Sequence, residues 1–127
     1  MKKTIYYAHS MHLYGKPQEQ RDIVLLKEMG FEVINPSDER YKKGFKAWNE
    51  LYPQRKNYMD YFENLVANSD MLAFRAYPDG SIPAGVVAEI KSALANNKAI
   101  IELPNFNSGR FLSVEDTKLF LNYLGQR

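Results

Sequence analysis

A single carboxylate, Glu89, stands on the first or second turn of a helix that follows a loop carrying Pro78, Asp79, Gly80, Pro83 and Gly85. A carboxylate there has a plain use: it complements the positive end of the helix dipole. It also has a reactive use, as a nucleophile or base directed at a bound ligand. Other chemically able groups fall on loops that a parallel sheet would bring to the same edge. His9, Ser10, His12 and Tyr14 follow the first strand, Ser81 precedes the Glu89 helix, and Ser108, Arg110 and Ser113 follow the last strand. Tyr6 lies on the first strand, and Asp60 and Glu63 lie on the helix before the third.

This assortment suits cleavage at the anomeric carbon of a sugar. That reaction needs a carboxylate beside the carbon, to trap or stabilise an oxocarbenium ion, and an acid to assist the leaving group. Hydroxyls and backbone N–H groups would hold sugar and phosphate. Competing chemistries have less behind them. The two histidines share one loop with no third ligand at a recognisable spacing, so no metal site is expected. A Ser-His-Asp arrangement lacks its GxSxG elbow, and there is no Walker loop or GxGxxG. No cofactor is expected.

The elements that must position these groups follow from pattern. Ser69–Leu103 reads as a βαβ unit: a strand at Met71–Arg75, a helix over about Ala84–Asn97, and a strand at Ala99–Leu103. The start of the chain reads the same way, with a strand at Thr4–Ala8, a helix from Pro17 capped by Gly30, and a strand at Phe31–Asn35. Between the two units, residues 37–55 are polar and aromatic without a clean period; they predict an inserted excursion with one short helix near Phe45–Tyr52. A helix is expected over Asn57–Asn68, and another over Val114–Leu124 with Ser113 as its N-cap. Four strands are expected, and a fifth would lie near Phe111 or in the excursion. The result is one α/β domain, residues 1–127, around a mostly parallel sheet of four to five strands.

Composition narrows the classes. A net charge of +2 with interspersed signs argues against binding polymeric nucleic acid. The absence of cysteine removes disulfides and Cys-based zinc sites. With no apolar run of membrane-span length and no signal peptide at the start, a cytoplasmic protein without membrane contact is expected. Nine tyrosines, amphipathic by nature, suit pockets and interfaces.

Four segments together resemble the nucleoside 2-deoxyribosyltransferase superfamily. They are Tyr6-Tyr-Ala-His-Ser10 followed by Gly15, Ser69-Asp70-Met-Leu-Ala, Gly85-Val-Val-Ala-Glu89, and Ser108-Gly-Arg-Phe-Leu-Ser113. The nearest branch is its hydrolases, the 2′-deoxynucleoside 5′-monophosphate N-glycosidases. The resemblance implies a flavodoxin-like (Rossmann-like) three-layer sandwich. It implies that Glu89 attacks C1′ to form a glycosyl ester, that Tyr6 orients Glu89, and that Asp60 engages the base or its leaving nitrogen. Ser10 matches a hydroxyl on the sugar and phosphate side. Ser113 matches a serine that reaches the 5′-phosphate held by a neighbouring subunit, which implies a homodimer or higher homo-oligomer. His12, Ser81 and Gly85 complete the expected substrate and phosphate contacts. The chain departs from the family where His12 replaces an arginine, where Pro83 replaces a Ser or Asp, and where Asp60 lies further from its strand.

The expected activity is therefore N-glycosidic cleavage, by hydrolysis or base transfer, of a (deoxy)nucleoside 5′-monophosphate. Two other readings stay open: a nucleotide-binding protein without turnover, and a TIR-like NAD glycohydrolase.

Overall fold

Thr4–Ala8 forms β1 at the middle of a sheet in the computed structural model, which describes residues 2–54, 57–104, 114–123 and 125. Ile5, Tyr6, Tyr7 and Ala8 are all fully buried, as strands are when helices cover both faces of a parallel sheet. In chain order, α1 (Pro17–Glu28), β2 (Glu32–Ile34), α2 (Glu39–Leu51), α3 (Asp60–Ala67), β3 (Met71–Phe74), α4 (Ala84–Ala95), β4 (Ala99–Glu102) and α5 (Val114–Tyr123) follow. The strand order is β2-β1-β3-β4, and every pair is parallel.

Strand side chains alternate between the two faces. Tyr6, Ala8 and Leu72 enter one core with Val66 of α3 and Val86 and Ala93 of α4. Ile5, Tyr7 and Ala73 enter the other with Leu26 of α1 and Leu103. The fold is thus a flavodoxin-like, Rossmann-like α/β sandwich of three layers, with a four-stranded parallel sheet between helices.

Helix ends follow their sequence signals. Pro17 opens α1 at its first position, and Gly30 closes it with φ of 96°. The Gly30 and Phe31 N–H groups return to the Lys27 and Leu26 carbonyls, the double closure that a left-handed residue permits. Asn97, with φ of 56°, ends α4 in the same way.

The excursion is where the sequence reading needs correction. It forms a full helix of thirteen residues, α2, rather than one short helix near Phe45–Tyr52. Tyr41, Phe45, Trp48 and Tyr52 recur at helical spacing, but as aromatic rings among charges they make a poor apolar stripe on paper. Their partners are in α3: Phe45 stacks on Phe62 at 5.2 Å, and Trp48 tilts against Tyr61 at 5.8 Å. Gly44 lets the two helices approach, since a Cβ there would collide with the Tyr61 hydroxyl. The following helix starts at Asp60, after a turn in which Asn57 Oδ1 accepts from the Met59 N–H at 2.9 Å. No strand occurs in the excursion among the described residues; Phe111 and Ser113 lie outside them.

Candidate active site

The strand order reverses between β1 and β3, so the chain leaves their carboxyl ends in opposite directions and opens a crevice. A cavity of about 540 Å³ fills that crevice, a size suited to a mononucleotide. The loop after β1 contributes His9, Ser10, Met11, His12 and Tyr14 to its wall. Tyr41, Lys42 and Phe45 come from α2, and Tyr58, Met59 and Phe62 from α3 and the turn before it. Tyr77, Pro83, Gly85, Val86 and Glu89 close the side next to α4.

Glu89 shares the inward stripe of α4 with Val86 and Ala93, and only 5% of it is exposed. The Tyr6 hydroxyl donates to its Oε2. Burial pushes the Glu89 carboxyl up to about 8; the bond from Tyr6 opposes this, and the nearby charge of Glu63 adds to it. At neutral pH this acid therefore holds its proton. Burial, then the charge of Glu89, also push the Tyr6 hydroxyl well above its ordinary range, and Tyr14 moves the same way under burial, Glu89 and Glu19. Neither phenol ionises at ordinary pH. A positive charge arriving beside Glu89 would draw off its proton and make it a nucleophile.

The first loop is held by Glu19, on the third residue of α1. Its Oε1 accepts from the Gly15 N–H at 3.1 Å, and its Oε2 meets His9 Nε2 at 2.7 Å and the Ser37 hydroxyl at 2.9 Å. One carboxylate so ties the loop after β1 to the loop after β2. Burial alone would raise the Glu19 carboxyl, but the bonds from His9, Gly15 and Ser37 outweigh it and hold the group below its usual range. His9 Nδ1 donates to the Tyr7 carbonyl at 2.9 Å, and its ring stacks on Tyr7 at 3.8 Å.

Glu89, Ser10, His12 and Gly85 meet on the cavity wall, with Tyr6 directly behind Glu89. Ser10 also caps the short helix Met11–Leu13, its Oγ accepting from the His12 N–H at 3.2 Å. Pro83 stands at the N-cap of α4 and supplies no side-chain cap, so the first-turn N–H groups of a twelve-residue helix border the cavity. Such groups favour anions. Asp60 and Ser81 are elsewhere. Asp60 Oδ1 accepts from the Trp48 indole at 3.1 Å, beside a separate open depression that includes Leu51 and Tyr52. The Ser81 hydroxyl donates to Asp79 at 2.6 Å within the turn that Gly80 completes. Ser113, Ser108 and Arg110 lie outside the described residues.

Sequence reasoning passed over Glu19 and the aromatic wall. A Glu on the third residue of a Pro-started helix is the signal for the first; helical spacing of the rings from Tyr41 to Tyr52 is the signal for the second. No cluster of three His, Asp or Glu suited to a metal ion occurs among the described residues, and none of their helices is long and apolar enough to cross a membrane. No protein-family model matches this chain, and no curated protein matches it significantly.

Proposed function

We propose that this protein cleaves the N-glycosidic bond of a (deoxy)nucleoside 5′-monophosphate through a glycosyl ester on Glu89, as the superfamily it resembles does. One observation carries the reading: a buried carboxyl, bonded to a buried tyrosine, faces a nucleotide-sized cavity at the topological switch point. As the C1′–N bond lengthens, positive charge grows on the sugar beside Glu89. That charge favours the carboxylate: Glu89 releases its proton to solvent and its oxygen bonds to C1′ while Tyr6 fixes its orientation, and the base departs with the electron pair of the broken C1′–N bond. Ser10, His12 and the first-turn N–H groups of α4 suit sugar and phosphate. Water or a second base then resolves the ester, and exchange of a labelled free base would separate transfer from hydrolysis. Asp60, bonded to Trp48 outside the cavity wall, has no support here as the group that assists the leaving base. A homodimer belongs to the same reading: exposed Met11 and Tyr58 at the cavity offer apolar surface for a second copy to cover.

The test is base release from a panel of deoxynucleoside monophosphates, followed by chromatography. Glu89→Ala should abolish release and keep the far-ultraviolet circular dichroism of the parent. Turnover surviving in that variant would rule the mechanism out. A second reading, nucleotide binding without turnover, draws on the proton that Glu89 holds at neutral pH. Binding of the panel by the parent protein with no base released would favour it.

A further inference from the structure

We infer that the cavity prefers nucleotides whose base carries a formal positive charge, a pyridinium or an N-alkylated purine, over nucleotides with neutral bases. This names the substrate class of the glycosidase reading and rests on it. Two features of the wall argue for it independently.

The first is what the wall is made of. Tyr14, Tyr41, Phe45, Tyr58, Phe62 and Tyr77 place six phenyl or phenol rings around one space. Ring faces stack on any base but attract a cationic one in addition. Glu89 is the only carboxyl on the wall among the described residues. Lys42 and His12, both exposed, together with the α4 N-terminus, suit the phosphate. The cavity thus answers a ligand that is negative at one end and positive at the other.

The second is what the wall lacks. A neutral base leaves as an anion unless an acid protonates it, and the cavity has no second carboxyl among the described residues to do so. Of the two histidines on the wall, His9 has both ring nitrogens engaged, by the Tyr7 carbonyl and by Glu19, and His12 is assigned with Lys42 to the phosphate end rather than to the base. A cationic base needs no such acid. The Glu89 oxygen bonds to C1′, the C1′–N bond breaks, and its electron pair neutralises the base nitrogen, which departs without a proton. Water then attacks C1′, the ester C–O bond breaks to restore the carboxylate, and the proton of water goes to solvent.

The proton on Glu89 makes the same distinction. Facing it are Tyr6 from β1, Tyr14 from the first loop and Glu63 from α3, with Lys42 of α2 and His12 elsewhere on the wall. None of the nearest three supplies a positive charge, so a bound cation is what releases the proton. A neutral base leaves it in place.

The experiment compares N7-methylguanosine 5′-monophosphate with guanosine 5′-monophosphate, in ribo and 2′-deoxy forms, and adds nicotinamide mononucleotide; enzyme-free decay is subtracted. Titration calorimetry at pH 7 in two buffers of different ionisation enthalpy should give about tenfold tighter binding of the cationic partner. It should also give release of close to one proton per ligand, absent in Glu89→Gln. Base release from the cationic partner should be about a hundredfold faster, the usual worth of a missing general acid. Equal or better binding and turnover of the neutral partners would overturn the charge preference and leave the glycosidase reading intact. Binding without base release from any nucleotide would overturn the glycosidase reading; the charge preference would then stand or fall on the binding ratio and the proton count. Failure to bind any of these nucleotides would overturn both.

Discussion

Two adjacent tyrosines on β1 point to opposite faces of the sheet, and each donates its hydroxyl to a buried carboxylate on a helix. Tyr7 bonds Asp22 of α1 at 2.5 Å, and Tyr6 bonds Glu89 of α4. What differs is the rest of the surroundings. Asp22 receives the planar fork of Arg75, with Nε at 3.0 Å from Oδ2, and the Gln18 amide at 2.9 Å. Arg75 goes on to the Pro104 carbonyl, so this cluster joins α1, β1, β3 and the end of β4. Its charge is answered and its lone pairs are occupied. No cation among the described residues is bonded to Glu89; burial, with the nearby charge of Glu63, holds its proton on, and a cavity opens beside it. The same tyrosine–carboxyl pair is a brace where a guanidinium completes it and, in the function proposed above, a reactive acid where the space for a cation is left to a ligand.

The comparison is most sharply tested by exchanging the carboxyls. Glu89→Gln should lower base release by at least about a thousandfold, the loss expected when a nucleophile is removed, with the fold retained. Asp22→Ala should do the reverse: it strands the buried Arg75 and should cost about 3–5 kcal/mol in urea unfolding, with turnover of the remaining folded protein little changed. If the two variants gave the same pattern, the distinction between brace and reactive acid would be lost.

Acidity offers a subtler break. The folded Glu89 carboxyl titrates near 8 against 4.5 for the free group, so between those values the folded chain keeps a proton that the unfolded chain has released. This contribution to stability is therefore greatest at the acid end of that window and is lost as pH rises, levelling off above it. Unfolding free energies measured from pH 5 to 9 should fall by an amount on the order of a few kcal/mol, and Glu89→Gln should remove that fall. A parent protein with no such slope would show that Glu89 ionises freely.

The smallest effects belong to the tyrosines themselves. Tyr6→Phe removes the bond that holds the Glu89 pKa down, so the acid limb of the activity profile should move to higher pH, with about a tenfold drop at neutrality. Tyr7→Phe should cost about 1–2 kcal/mol of stability and leave the pH profile where it was. A shifted profile in Tyr7→Phe would mean the two faces are coupled.

Much of the frame was legible in the chain. The strand at Thr4–Ala8 has the bounds its pattern predicted, and Pro17 and Gly30 stand at helix ends as their backbone chemistry requires. These signals are local: a residue's own geometry or its immediate neighbours produce them. Less legible was α2, whose half-buried stripe is made of rings that become a hydrophobic face only against Tyr61 and Phe62 of α3. Asp60 shows the same limit. It occupies the helix named for it, yet that helix turns its carboxylate to Trp48.

By itself, then, the order of residues determined the alternation of strands and helices, the edge at which the loops gather, and the presence of Glu89 at that edge. Periodicity and capping act within a few residues, and parallel βαβ units have few ways to pack. Tertiary structure alone decided which carboxylate received a cation and which kept a proton. Asp22 meets Arg75 across 53 residues, and Tyr6 meets Glu89 across 83. Electrostatic energy depends on distance in space and on exclusion of water, and neither exists until the chain has closed around both groups.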